Sequence, residues 1–239
     1  MIKVTPYNST ETKKKQVTKM FDNIADSYDL LNHTLSLGMD NIWRKIAIKK
    51  LTNSPATILD IATGTADFAI SAAKYTKANI TGIDISQGML NVGSKKIASK
   101  GFEDRIQLQL ADSEKLPFKD NNYDAITAGF GVRNFEDLNK GLSEMYRTLK
   151  TGGTIVILEP SEPSHFPLKQ FYKLYFHHIL PFVGGLISKD KNAYTYLPDS
   201  VSAFPSGNNF LTKLVKVGFK ECKHIPLTFG IVTLYIAIK

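Results

Sequence analysis

Hydrophobic positions change period along the chain. From 10 to 50 they recur every three or four residues, with Val17, Met20, Phe21, Ile24 and Tyr28 in one stripe. That spacing predicts a helix, with a second, short helix after Gly38. From 57 onward short runs of strand-forming residues take over: TILDIA (57–62), NITGIDI (79–85), IQLQLA (106–111), YDAITAG (123–129) and TIVILE (154–159). Helical segments near 66–74, 86–99 and 136–149 alternate with them. Strands that alternate with helices of this length imply right-handed βαβ units and a doubly wound, mostly parallel sheet.

After Glu159 the regularity stops. Residues 160–205 are rich in Pro, Phe, Tyr and His and read as helices inserted late in the fold. A helix near 207–217 follows, then GFKECKHI (218–225) and FGIVTLYIAIK (229–239), the sixth and seventh strands. The link between them, Pro226 to Thr228, is too short for a parallel crossover, so the last strand is expected to run antiparallel to its neighbour. The expectation is one α/β domain over 1–239. It divides into a helical lid (1–50), a cofactor-binding core (51–160), a helical substrate insert (160–205) and a C-terminal helix with the last two strands (206–239).

Composition narrows the class. A hydrophobic content of 43% in 239 residues supports a core that closes without staples. The single cysteine, Cys222, excludes an intramolecular disulfide and reads as a buried apolar thiol. The N-terminal MIKVTPYNSTETKKKQ lacks the apolar centre of a secretory signal, and no run reaches the ~18 apolar residues of a membrane span. A cytoplasmic protein is expected. The net charge of +8 raises nucleic acid or an anionic membrane as partners. The lysines are scattered, however, and no arginine-rich stripe with interleaved aromatics is present, so nucleic acid is not expected. Peripheral attraction to the inner face of an anionic membrane stays open, as does a homodimer.

Candidate chemistry begins at LDIATGTAD (59–67). In an open α/β sheet the ligand lies beyond the carboxyl ends of the strands, over the first strand-to-helix loop. A dinucleotide fingerprint would place glycine at 62, 64 and 67, where this chain has Ala62, Gly64 and Asp67. A carboxylate in the first helical turn repels a pyrophosphate, which disfavours an NAD-dependent oxidoreductase. Asp67 either steadies the helix start or also faces a cationic cofactor. Asp84 ends the second strand, where it can accept from ribose hydroxyls. Asp112, with Ser113, follows the third, where an acid can receive an adenine amino group. Together they suggest an adenosine-bearing, phosphate-free, cationic cofactor, and S-adenosylmethionine has that chemistry.

FDNIADSYDLLNHTLSLGMDNIW (21–43), LDIATGTAD, GIDIS (82–86), ADSEKLPF (111–118), FGVRN (130–134), EMYRTLKTGGTIVILEPS (144–161) and YTYLPDSVSAFPSG (194–207) together resemble the ubiquinone/menaquinone biosynthesis C-methyltransferases. The resemblance implies a Rossmann-like class I methyltransferase fold, with cofactor contacts at Thr65, Asp84, Asp112 and Ser113. Asp60, Gly64 and Gly129, where the family often has serine, complete the candidate cofactor set. It also implies methyl transfer to a ring carbon of a prenylated naphthoquinol; a benzoquinol or another small phenol is the alternative acceptor.

Carbon is a poor nucleophile unless the ring is electron-rich, so the reduced quinol is the expected acceptor. A phenolic hydroxyl has a pKa of ~10 and must be helped to ionise. Arg133 and Asn134, after the fourth strand, are the candidates to stabilise a developing phenolate, and an ion pair is the other role open to Arg133. Tyr28, Asp29 and His33 lie in the lid helix and are candidates to fold over the site, with Tyr28 and His33 counted among the catalytic set. The aromatic insert FPLKQFYKLYFHHILPF (166–182) suits an isoprenoid tail, or packs as a lid on its own domain. Its neighbours His177 and His178 point about 100° apart on a helix and cannot readily share a metal. One of them could hold a proton or simply pack, and no metal is expected.

Overall fold

The computed structural model describes residues 4–52, 54–163, 165–174 and 190–239. Its strands are β1 (Thr57–Ile61), β2 (Asn79–Asp84), β3 (Ile106–Leu110), β4 (Tyr123–Gly129), β5 (Leu149–Pro160), β6 (Lys220–Leu227) and β7 (Val232–Ile238). They form one seven-stranded sheet in the order β3-β2-β1-β4-β5-β7-β6. Pairing is parallel from β3 across to β5, and β7 runs antiparallel to both β5 and β6. The expected doubly wound sheet with an antiparallel last strand is therefore present, and its order reverses between β1 and β4.

Alternate residues of the buried strands serve two cores, as a sheet covered on both faces requires. On one face Ile58, Ile80, Val156 and Leu158 pack with Trp43, Ala69, Ala72 and Ala73. These last come from α2 (Met39–Ile48) and α3 (Asp67–Tyr75). On the other face Leu59, Ile61, Ile126, Ile155 and Ile157 meet Leu142 and Met145 of α5 (Leu138–Thr148) and Phe210 and Leu214 of α8 (Asn208–Val217).

The N-terminal stripe builds a third, smaller core. Val17, Met20 and Ile24 of α1 (Lys13–Leu35) pack on Met89 of α4 (Gln87–Ser99) and on Ala193 and Tyr196 of α7 (Lys191–Ala203). The lid helix thus lies across the strand ends, between the cofactor core and the insert. Asp22 fixes it there, its Oδ1 accepting from Ser86 Oγ (2.6 Å) and from the Gly88 amide (2.9 Å).

Two boundaries differ from the sequence reading. β5 begins at Leu149 rather than Thr154, because Leu149 pairs with Tyr123 across a bulge. The final turn is Thr228–Gly230 rather than Pro226–Thr228, with positive φ at Thr228, Phe229 and Gly230. Pro226 instead sits in β6, an edge strand, where a missing N–H is tolerated. Cys222 is half-buried rather than buried. Of the insert, α6 (Leu168–Leu174) and α7 are described; His177 and His178 lie outside the described residues. No helix among the described residues is long and apolar enough to cross a membrane.

Candidate active site

The loop after β1 turns sharply under three positive φ angles, at Ala62 (52°), Gly64 (55°) and Ala66 (67°). Two of these fall on residues with a Cβ, and buried carboxylates hold the loop in that shape. Asp60 accepts from Thr63 Oγ1 and Thr127 Oγ1, both at 2.5 Å. Asp84 accepts from the Gly64 amide and the Ser86 amide, both at 2.9 Å. The loop after β4 presses against the loop after β1, and a Cβ on Gly131 would lie 2.4 Å from the Cβ of Ala62. Gly129 is similarly confined: a Cβ there would meet Phe68 at 2.8 Å.

Two cavities open over these strand ends. The first is lined by Gly64, Asp84, Asp112, Ser113 and Gly129, with Ile85 and Met89 as apolar walls. Lys14, Val17 and Phe21 of the lid helix line it as well, and its volume is about 60 Å³. Lys14 donates to Asp112 (2.7 Å) and Glu114 (3.1 Å). Burial works to lower the lysine's pKa, but these two acids raise it on balance. An adenine amino group at Asp112 has to share the carboxylate with that ammonium.

The second cavity, about 430 Å³, is mostly apolar and lies between α1, α2, α7 and the β5 end, with Met20, Ile24, Trp43, Tyr172, Leu197 and Ile231 among its walls. Phe21, Tyr28, Phe130 and Asn134 line both cavities, so any group that passes between the two crosses that ring.

Arg133 and Asn134 occupy a 3-10 turn (Val132–Asn134) at the end of β4. Arg133 is held by Glu159: Nη1 donates to Oε2 at 3.0 Å, and the backbone amide to Oε1 at 3.3 Å. Nη1 also donates to the Phe130 carbonyl, and Nε to Ser200 Oγ at 3.3 Å. Arg133 therefore is both an ion-pair partner and a wall of the larger cavity. Burial pushes the Glu159 carboxyl above its usual range, against the lowering effect of Arg133. The sequence reading passed over Glu159; the available signal was an acid closing the otherwise apolar run TIVILE.

Other candidates stand elsewhere. The Thr65 hydroxyl donates to Asp29 Oδ1 at 2.5 Å, and Thr65 does not line the first cavity. Asp67 also turns away from it. Lys96 donates to Asp67 at 2.8 Å, Arg44 lies 3.5 Å away and His33 Nε2 3.6 Å away. Of its two possible roles, the one facing a cationic cofactor is thus not realised, because cations of the protein already surround the carboxylate. His33 lies beside Asp40 (Nδ1 to Oδ2, 2.8 Å) in this network and lines neither cavity. Asp29, His33 and Asp67 stand close enough to hold a metal ion, but Lys96 fills the space between the two acids.

Asp60 lines neither cavity and serves the loop. Burial raises its pKa to about 6, despite the hydroxyls of Thr127 and Thr63. The unfolded chain, with an ordinary carboxyl, releases its proton near pH 3.8 while the folded chain holds it, so stability falls as pH rises from there through about 6. The gap corresponds to ~3 kcal/mol at most. Asp60→Asn is expected to remove this dependence and to gain on the wild type between pH 4 and 7 in thermal melts. A difference that stays constant with pH contradicts it.

The first cavity suits S-adenosylmethionine in chemistry. Asp84 and Asp112 offer acceptors for hydroxyl and amino groups, Ile85 and Met89 offer faces for a base, and its single basic side chain, Lys14, is already ion-paired. Comparison with known proteins agrees. A demethylmenaquinone methyltransferase of Bacteroides fragilis is 50% identical over 99% of this chain and 98% of its own. A ubiquinone/menaquinone biosynthesis C-methyltransferase UbiE of Geotalea daltonii is 47% identical over 95% and 97%. The fold is shared with a structure titled as a putative S-adenosyl-L-methionine-dependent methyltransferase of Methanococcus maripaludis (TM-score 0.63, 22% identity, 98% and 96% covered). The model of the ubiE/COQ5 methyltransferase family matches residues 9–239. This chain, with its acid-floored cleft on a seven-stranded sheet, belongs to the ubiE/COQ5 methyltransferase family and takes its methyl group from S-adenosylmethionine.

Proposed function

We propose that the chain methylates a ring carbon of a reduced, prenylated naphthoquinol, converting demethylmenaquinol to menaquinol. The observation that carries this reading is the mostly apolar cavity of about 430 Å³ abutting the cofactor cleft at Phe21, Tyr28, Phe130 and Asn134. Relatives of Bacteroides fragilis and Porphyromonas gingivalis, 50% and 42% identical, bear the name demethylmenaquinone methyltransferase.

When bound, S-adenosylmethionine supplies an electrophilic methyl group on a sulfonium. The protein's share is to seat the ring, exclude water and favour the ionised quinol. Nη2 of Arg133 and Nδ2 of Asn134 donate to no protein group among the described residues, and both side chains line the acceptor cavity. They are suited to stabilise a phenolate oxygen as it forms. Tyr28, Tyr172 and Tyr196 face the same cavity, and burial raises the pKa of each. They keep their protons near neutrality and serve as walls and donors rather than bases.

Exposed apolar side chains close in sequence to the cavity lining favour a substrate drawn from lipid. Leu37 of the α1–α2 turn, Phe166 before α6 and Phe229 of the last turn are 89%, 81% and 76% exposed. Each lies at or within two residues of a cavity-lining position. Three exposed apolar side chains at or near cavity-lining positions, on a chain of charge +8, suit shallow contact with an anionic bilayer.

Labelled S-adenosylmethionine incubated with reduced and oxidised demethylmenaquinone, and with a prenylated benzoquinol, tests the reading. Label is expected in the naphthoquinol product. Transfer to the oxidised quinone alone overturns the mechanism, transfer to the benzoquinol alone overturns the acceptor, and S-adenosylhomocysteine that releases no heat in calorimetry overturns both.

A further inference from the structure

The insert helix α7 carries YTYLPDSV (194–201), whose polar groups have so far been given no task. Tyr196 and Ser200 stand four residues apart on one face of it, both 4% exposed. Each reaches one member of the Arg133–Asn134 pair. Tyr196 Oη donates to Asn134 Oδ1 at 3.1 Å; Ser200 Oγ accepts from Arg133 Nε at 3.3 Å and donates to the Leu197 carbonyl at 2.8 Å. The start of α7 is anchored as well. Asp190 caps it, accepting from the Asn192 amide at 3.0 Å, and binds Asn23 Nδ2 of the lid helix at 3.2 Å.

A carboxamide has one accepting end and one donating end, and a partner on one end decides where the other points. With Oδ1 bound to the phenol of Tyr196, Nδ2 turns to the opposite side. It has no acceptor there among the described residues, and Asn134 lies in the ring shared by the two cavities. Flipped, the amide would present its carbonyl oxygen to the acceptor and repel an anionic oxygen.

We propose that Tyr196 is a positioning residue for methyl transfer. Its hydroxyl fixes the Asn134 carboxamide so that the N–H₂ end faces the aromatic hydroxyl of the acceptor and stabilises that hydroxyl's anion. The proposal deepens the aromatic-hydroxyl reading above and rests on it. Burial holds the Tyr196 pKa near 12, so the donor persists over the working pH range.

A double-mutant cycle of Tyr196→Phe and Asn134→Ala tests this, since residues that act through one another lose activity non-additively. Phenylalanine keeps the packing ring and removes only the donor. Tyr196→Phe is expected to lower kcat about 10- to 100-fold, with KM and S-adenosylhomocysteine affinity within about threefold. The acid limb of the kcat–pH profile is expected to move up by about one unit, because the bound hydroxyl ionises less readily. The double variant should match Asn134→Ala alone. A second readout needs no turnover: the absorbance titration of 1-naphthol bound with S-adenosylhomocysteine. Its pKa is expected below the free value in the wild type and above the wild-type value in all three variants, which keep Arg133.

Multiplicative losses in the cycle, an unmoved pH limb, or a naphthol pKa equal in wild type and Tyr196→Phe would overturn the proposal. Failure of the quinol reading looks different. The wild type then leaves demethylmenaquinol unlabelled while the naphthol titration still separates Tyr196→Phe from wild type.

Discussion

Asp84→Ala is expected to abolish useful cofactor binding, weakening S-adenosylhomocysteine by ~100-fold or more, or about 3 kcal/mol. The carboxylate has two tasks at one place. It receives the Gly64 and Ser86 amides, which hold the cofactor loop and the start of α4, and it lines the cleft where ribose hydroxyls are expected. Alanine leaves two backbone donors without their partner, a further cost to the fold of ~1–3 kcal/mol for each that stays buried. Asp84→Asn keeps the shape and one acceptor, so a loss of roughly tenfold is expected there. Calorimetry well below the melting temperature of each variant checks both. Alanine-variant affinity within about threefold of wild type would remove Asp84 from the cofactor site.

Glu159→Gln is expected to be the most destabilising conservative change in the site. Its side chain is 1% exposed and that of Arg133 9%, so neither charge has water to fall back on. Breaking a buried pair from one side costs ~3–5 kcal/mol, because the remaining charge stays buried without compensation. For a chain of this size that is roughly 6–20 °C in melting temperature. Activity should fall further than stability explains, since Arg133 then loses the anchor that aims it along the cavity wall. A double variant, Glu159→Gln with Arg133→Met, separates the two effects. It should recover much of the melting temperature by removing the stranded charge, and recover no turnover. If the single variant melts within about 2 °C of wild type, the pair does not hold the turn.

Both expectations rest on residues of unequal visibility. Asp84 was legible, because the tip of the second strand of a doubly wound sheet is a place of known chemistry. Glu159 was not, for it ends an apolar run, and nothing local says which cation it meets. Thr65 was implied by the family resemblance and Asp67 singled out by its loop, yet Thr65 binds Asp29 of the lid helix and Asp67 binds Lys96 of α4. Their charges and hydroxyls were correctly noticed. Their partners, far along the chain, were not readable. Asp60, grouped with the cofactor residues by its place in LDIATGTAD, instead braces the loop through Thr63 and Thr127.

By itself the sequence determined the alternation of strands and helices, the antiparallel closing strand and the acids Asp84 and Asp112 at the ends of successive strands. Those properties follow from local period, turn length and charge at strand tips, all carried by neighbouring residues. Only the tertiary structure decided that Lys14 of α1 meets Asp112, that Glu159 anchors Arg133 and that the phenol of Tyr196 binds the amide oxygen of Asn134. Such pairings join residues 26 to 98 positions apart. They depend on how whole elements pack, and no local pattern encodes which buried donor will meet which acceptor.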